Sequence, residues 1–249
     1  MRHIRRNKRG QLTIGGHIAV DLAERFGTPL YVYSGDGLVA HYAAFASAVS
    51  ELDFVVHYAV KANSSLGVLS LLAQQGAGAD IVSGGEMKRA LIAGIAPDKI
   101  VFSGVGKTDD EIRAALQAGI AQINAESATE LHHISQIAAE TERQAPVALR
   151  VNVNVDPGSH AKISTGQRST KFGIPVADGE AAMLYRQLCS DPNLIPRGLA
   201  VHIGSQLRKL GPFERAYQEL LALADMLCAE GLDVPMLDLG GGLGVDYEE

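Results

Sequence analysis

The chain of 249 residues is predicted to fold as an α/β protein, built from repeated βα units around a parallel sheet. The first observation is that short apolar runs, too hydrophobic for strands with one solvent face, alternate with helical patterns. The second is that the helical stretches carry their own start signals. The segments 108–111 and 127–130 both have the form of a capping box, with a hydroxyl residue three positions before a glutamate. Such alternation is typical of a (β/α)₈ barrel or of a doubly wound sheet.

The elements are predicted in chain order from local patterns. The first 50 residues differ from the rest: a short strand at 12–14, a helix at 17–26 closed by Gly27, and a strand at 30–34 after Thr28-Pro29. A helix at 213–229 follows from the spacing of its leucines, with Gly231 as its C-cap. Seven candidate strands of the parallel sheet are 54–60, 79–83, 100–103, 122–125, 147–153, 198–203 and 236–239.

The distribution of polar residues favours the barrel over the doubly wound sheet. Lys61 and the segments 83–86, 202–205 and 240–242 follow different strands, rather than meeting at one switch point. A barrel needs eight strands and seven are found, so we expect the last barrel strand to be lacking. The predicted domains are an N-terminal extension at 1–35 and an incomplete barrel at 36–249.

Composition and charge exclude several classes of function. The net charge of −6 argues against nucleic acid as a partner. No apolar stretch reaches the roughly 20 residues of a membrane span. Two cysteines, Cys189 and Cys228, form no disulfide framework and no metal-binding pattern, which fits the cytoplasm and predicts no metal site.

The first candidate for a catalytic residue is Lys61, the single lysine that ends the apolar run 54–60. An amine at the end of a buried strand can form a Schiff base with a carbonyl compound, although many strand-end lysines only reach for solvent. Gly240-Gly241-Gly242 follows a strand and offers backbone N–H groups to an anion, but Val245 breaks the dinucleotide pattern GxGxxG. His202 and Ser205 follow another strand, where an imidazole can stack on a flat ring and a hydroxyl can bind phosphate. Together these residues favour a pyridoxal phosphate site.

The sequence closely resembles the diaminopimelate decarboxylases, within the alanine-racemase-like barrel enzymes that include the ornithine and arginine decarboxylases. The resemblance runs from near the first residue to the last, and several matching stretches are long and specific. The matching stretches are 27–33, 58–63, 78–86, 124–127, 162–166, 171–174, 202–206 and 238–244.

The resemblance implies a role for individual residues. Lys61 would hold pyridoxal 5'-phosphate as an aldimine, His202 would stack on the cofactor ring, and both residues would act in catalysis. Ser205 would bind the phosphate together with Gly240, Gly241 and Gly242. Asp80 and Glu86 would lie near the cofactor, and Ser164-Thr165-Gly166 resembles a loop typical of the diaminopimelate enzymes.

The implied activity is that of a carboxy-lyase, which converts meso-2,6-diaminopimelate to L-lysine and CO₂ in the last step of lysine biosynthesis. The resemblance also implies a homodimer at full length. The C-terminal β-domain and the Glu-Pro-Gly-Arg segment of the family are absent here, so we expect these 249 residues alone to be inactive. Two alternatives stay open: an ornithine or arginine decarboxylase of the same fold, and a pyridoxal phosphate-binding protein without catalysis.

Overall fold

The computed structural model describes residues 3–156 and 172–246. The described residues form two compact units. Unit 1 runs to Ile81 and includes Gly85–Ile100, and unit 2 consists of Val82–Gly84 and the chain from Val101 onward. The loop Ser164–Gly166 lies outside the described residues. The boundary between residues 35 and 36 stays a prediction.

Unit 1 contains a small antiparallel sheet followed by the first βα repeat. In the sheet, the second strand pairs with both neighbours. In the repeat, β4 and β5 are parallel and Ala59 lies opposite Asp80. The elements are β1 (Ile4–Arg6), β2 (Leu12–Ile14), β3 (His17–Ile18), α1 (Ala19–Phe26), α2 (Gly35–Ala48), β4 (His57–Ala59), α3 (Leu66–Gln74), β5 (Gly78–Ile81) and α4 (Gly84–Ile92).

Unit 2 continues the βα repeat with a parallel sheet whose strand order is β6-β7-β8-β10-β11, and β9 pairs with β8. One face of α8 is buried because Leu220, Leu223 and Leu227 recur at helical spacing. The elements are β6 (Ile100–Phe102), α5 (Asp109–Ala118), β7 (Gln122–Ala125), α6 (Ala128–Glu140), β8 (Ala145–Asn152), β9 (Ile174–Pro175), α7 (Glu180–Ser190), β10 (Leu194–Val201), α8 (Gly211–Ala229) and β11 (Met236–Asp238).

The spacing between β10 and β11 depends on a glycine. The register of β10 shifts between Pro196 and Gly198, and Gly198 has φ +121°. A Cβ atom at position 198 would overlap the carbonyl oxygen of Met236, its partner on β11. The two strands can therefore approach each other only because position 198 has no side chain.

Three of the sequence-based assignments are wrong in detail. The predicted strand 30–34 has no regular structure, and Tyr31 and Tyr33 are exposed. The predicted strand 54–60 is limited to His57–Ala59, and Phe54 and Val55 are exposed. The helix expected from residue 17 begins at Ala19, because residues 17 and 18 pair with β2. In each case, pairing with a neighbouring strand decides the structure more than local hydrophobicity does.

The two predicted capping boxes have different outcomes. At α5, Thr108 and Glu111 satisfy each other's backbone N–H groups, as predicted. At α6, Ser127 accepts a hydrogen bond from the N–H of Glu130, but the reciprocal bond is not formed. The carboxylate of Glu130 instead accepts from the N–H of Glu126 and from Lys107. Tertiary partners have replaced half of this capping box.

Candidate active site

Lys61 and Asp80 lie at the carboxyl ends of neighbouring strands in unit 1. Lys61 sits in a single 3₁₀ turn, Val60–Ala62, which follows β4 directly, and its side chain is exposed. Asp80 lies on β5 opposite Ala59 and is half-buried. The parallel pairing thus places both predicted site residues at one end of this strand pair.

The chain around Lys61 is ordered by short-range hydrogen bonds. The hydroxyl of Tyr58 donates to the carbonyl of Asn63 at 3.5 Å, and the side chain of Asn63 accepts from the N–H of Ser65 at 3.0 Å. Burial, with a smaller contribution from Tyr33, raises the pKa of Tyr58 above its ordinary value, so this hydroxyl keeps its proton.

Glu86, which was also predicted to lie near the cofactor, is half-buried in the first turn of α4.

His202 follows β10 directly and faces the glycine turn of unit 2. Its Nδ1 accepts a hydrogen bond from the N–H of Gly241 at 3.4 Å. A neutral imidazole that accepts at Nδ1 carries its proton on Nε2. The turn therefore holds the Nδ1 edge of the imidazole ring.

The turn at Gly240–Gly242 is built tightly against the end of β10. Gly240 and Gly242 have φ values of +66° and +106°, which favour glycine. A Cβ atom at position 240 would overlap the carbonyl oxygen of Val201, and one at position 242 would overlap that of Gly204. A Cβ atom at Gly241 would have open space around it. The turn is thus a backbone cradle in which two of three positions exclude side chains.

A pair of hydrogen bonds brings the segment of Ser205 to this turn. The N–H of Leu207 donates to the carbonyl of Gly242 at 2.9 Å, and the N–H of Gly244 donates to the carbonyl of Leu207 at 3.0 Å. Ser205, two residues earlier, is exposed. The structure therefore gathers His202, the Ser205 segment and the glycine turn within unit 2. A glycine turn has no side chains of its own, so a phosphate group can approach its backbone closely.

Sequence reasoning missed a polar network inside unit 2. Asn124 on β7 donates to the carboxylate of Asp238 at 2.9 Å and contacts the hydroxyl of Ser103 at 3.1 Å. The side-chain amide of Gln122 donates to Asn124 at 2.7 Å. Gln122 and Asn124 are both buried and two residues apart, so they point to the same face of a strand. That alternation of polar residues was the available signal.

A second missed feature is an ion pair at the ends of β7 and β8. Arg150 donates to the carboxylate of Glu126 at 2.8 Å, and their side chains are only 12% and 4% exposed. The guanidinium of Arg150 also lies 5.1 Å from the ring centre of Phe172. A buried pair of this kind holds two neighbouring strand ends in a fixed arrangement.

Within residues 3–156 and 172–246, no three His, Cys, Asp or Glu side chains form a group able to hold a metal ion. In the same ranges, no helix is both long and apolar enough to cross a bilayer.

A parallel βα repeat with a lysine, a histidine and a glycine turn at its strand ends is the arrangement of a pyridoxal phosphate-dependent α/β protein. Residues 36–249 match the family described as "Pyridoxal-dependent decarboxylase, pyridoxal binding domain", and the chain belongs to this family. The predicted cofactor, pyridoxal 5'-phosphate, is thereby confirmed.

The relatives of this chain include several diaminopimelate decarboxylases. The enzyme of Vibrio cholerae is 50% identical over 240 residues, which cover 96% of this chain and 57% of that protein. A structure of the M. jannaschii enzyme with L-lysine has a TM-score of 0.93 and 38% identity, over 99% of this chain and 58% of that one. Lysine decarboxylase from Selenomonas ruminantium has a TM-score of 0.81 and 26% identity, over 98% of this chain and 58% of that one.

These comparisons confirm the family that the sequence resembles. They also confirm the predicted fold class, a βα barrel rather than a doubly wound sheet. The chain spans little more than half the length of the relatives that it matches.

Proposed function

We propose that this chain supplies the cofactor-binding part of a diaminopimelate decarboxylase, which converts meso-2,6-diaminopimelate to L-lysine and CO₂. The observation that carries the proposal is the 50% identity to the V. cholerae enzyme across 96% of the chain. The lower identity to the lysine decarboxylase, 26%, favours this substrate over the alternatives from that branch of the fold.

The residues at the strand ends fit the parts of the cofactor. The amine of Lys61 would bind its aldehyde carbon, because this amine is exposed and follows a strand directly. The ring of His202, held at Nδ1 by Gly241, would lie against the pyridine ring. The backbone of Gly240–Gly242 and the hydroxyl of Ser205 would bind the phosphate. Asp80, at the end of the strand beside Lys61, would lie near the cofactor.

The chain's own groups would position the reactants and move protons. When bound, pyridoxal phosphate withdraws electrons from the substrate α-carbon, which allows CO₂ to leave. Lys61 Nζ would take up and return a proton as the substrate amine replaces it at the aldehyde carbon. The hydrogen bond from Gly241 would keep the proton of neutral His202 on Nε2.

We also propose that the protein is located in the cytoplasm and assembles as a homodimer. Its small-molecule substrate would be an amino acid. The two cysteines, Cys189 and Cys228, are both free thiols, as suits a reducing compartment. The homodimer is supported by the family resemblance, and gel filtration with light scattering would test it.

Trapping of the cofactor tests the role of Lys61. The chain is mixed with pyridoxal phosphate, reduced with borohydride and mapped by peptide mass spectrometry. We expect the adduct on Lys61, its loss in Lys61→Met, and its retention in Lys88→Met, since Lys88 is an exposed lysine on α4. An adduct spread over many lysines, and unaffected by Lys61→Met, would contradict the proposal.

Release of CO₂ from three amino acids tests the substrate. Meso-diaminopimelate, ornithine and arginine are offered at equal concentration to a full-length protein that contains this chain, because the 249 residues alone are expected to be inactive, and we expect release from the first. Faster release from ornithine or arginine would favour the first alternative. Cofactor trapped on Lys61 without release from any of them would favour a binding protein without catalysis.

A further inference from the structure

The carboxylate of Asp238 connects the glycine turn to the buried polar network of unit 2. One oxygen, Oδ1, accepts from the N–H of Gly240 at 2.9 Å. The other oxygen, Oδ2, accepts from the side-chain amide of Asn124 at 2.9 Å. Asp238 thus ends β11, begins the turn and is held by a strand that lies 114 residues earlier in the sequence.

Asn124 is itself held in one orientation. Its side-chain oxygen accepts from Gln122 at 2.7 Å, and its nitrogen also contacts the hydroxyl of Ser103 at 3.1 Å. The residue is only 2% exposed. Because both ends of this amide have partners, the nitrogen is directed at Asp238 and fixes where the carboxylate lies.

The placement of Asp238 determines which amides of the turn remain for an anion. Within residues 3–156 and 172–246, the N–H groups of Gly240 and Gly241 have acceptors in Asp238 and His202, whereas those of Gly242 and Leu243 have none. A carboxylate repels a phosphate, so Asp238 cannot serve by direct contact. Its effect must pass through the shape of the turn.

We propose that Asp238, oriented by Asn124, is a positioning residue for the cofactor phosphate. The inference rests on the proposed function and adds to it the device that shapes the phosphate cradle. The side-chain bond from Asp238 to the amide two residues later forms an Asx-turn, which starts Gly240 in its left-handed conformation. The hydrogen bond from Asn124 holds that Asx-turn in a fixed position relative to β7.

The test compares the affinities for pyridoxal phosphate and for pyridoxal, which lacks the phosphate, by absorbance titration. In Asn124→Asp, two carboxylates face each other across a hydrogen-bond distance. We expect affinity for pyridoxal phosphate to fall about tenfold or more, and affinity for pyridoxal to change by less than about twofold.

Exchanging the two groups provides the rescue. In the double variant N124D/D238N, the new amide at 238 donates to the carboxylate at 124 and still accepts from Gly240. Ser103 and Gln122 remain available as donors to position 124. We expect the preference for pyridoxal phosphate to return to within about threefold of the original chain, because the pair is coupled.

Asp191→Asn is the matched control. Asp191 accepts from the N–H of Asn193 at 2.9 Å in the same two-residue geometry, but it lies before β10, at the opposite end of that strand. This substitution should leave the preference for pyridoxal phosphate over pyridoxal unchanged. Urea unfolding of each variant establishes that it is folded at the titration temperature. If Asn124→Asp does not fold, Asp238→Asn replaces it as the milder single variant.

Each outcome bears on a different statement. An unchanged preference in the folded single variant, or a double variant that is not restored, would overturn the inference alone. Equal affinity of the original chain for both ligands would overturn the phosphate cradle and with it the inference, while the role of Lys61 would stand. Binding of neither ligand would overturn the proposed function itself.

Discussion

Lys61 and Lys107 each follow a strand of the parallel βα repeat, and their surroundings are opposite. Lys107, which follows β6 in unit 2, has a side chain only 1% exposed. Its amine donates to the carbonyls of Gly104 and Asn124 at 2.6 and 2.8 Å and to the carboxylate of Glu130 at 2.8 Å. Lys61, which follows β4 in unit 1, is exposed, and its amine has no hydrogen bond to any residue that the structure describes.

The difference shows which lysine is available for chemistry. An ammonium group has three protons to donate, and Lys107 has given all three to fixed acceptors. Covalent attack requires a free amine with its lone pair directed at the carbonyl carbon. Lys107 therefore belongs to the structure of the strand ends in unit 2, and this contrast supports the proposal that Lys61 binds the cofactor.

The same substitution at both lysines tests whether their structural roles differ. Lys107→Met leaves the Glu130 carboxylate and two carbonyls without their donor, so we expect unfolding to become easier by about 3–5 kcal/mol. Lys61→Met removes an exposed side chain and should change the free energy of unfolding by less than about 0.5 kcal/mol. Urea denaturation followed by circular dichroism measures both. Equal losses would mean that the two amines do not differ in structural role.

A smaller effect is expected from the glycine turn, where two neighbouring positions can be compared. Gly242→Ala places a Cβ atom against the Gly204 carbonyl at a positive φ, and should destabilise the chain by about 2–3 kcal/mol. It should also weaken binding of pyridoxal phosphate. Gly241→Ala has open space and should stay within about 0.5 kcal/mol. Thermal unfolding and ligand titration measure the pair, and similar behaviour of both variants would argue against a rigid cradle.

The smallest effect concerns the loop that begins α5, near Lys107. Hydrogen bonds from the N–H of Gly84 and then of Thr108 lower the pKa of Glu111 below its ordinary value of 4.5. A lowered pKa in the folded state adds stability above pH 4.5, and this stability is lost as the pH falls through the folded pKa. Glu111→Gln should therefore cost about 1 kcal/mol at neutral pH and progressively less in acid.

Urea titrations at several pH values measure this dependence. Glu219→Gln is the control, because Glu219 is an exposed carboxylate on α8. A loss at Glu111 that stays constant down to the acid limit would show that the charge of the carboxylate is not involved.

The sequence predicted the repeated βα pattern well, because buried parallel strands are apolar on both faces. It predicted the strand at 122–125 to the residue, but overestimated the one at 54–60, since apolar character does not reveal where a partner strand ends. His202 and the glycines were chosen as candidates because they interrupt the pattern at strand ends, and the structure brings them together, while their role in binding stays a prediction. The bond between Asn124 and Asp238 was not foreseeable, because nothing local links residues so far apart in sequence.

The close approach of β10 and β11 at Gly198 would affect how a random mutagenesis screen is interpreted. Any side chain at 198 must displace either its own backbone or that of Met236, and Asp238 lies two residues further along β11. If the proposed site is right, we expect a variant at this position to weaken cofactor binding through the turn, even though position 198 has no side chain that could contact a ligand. Scored by phenotype, position 198 would be mistaken for part of the binding site.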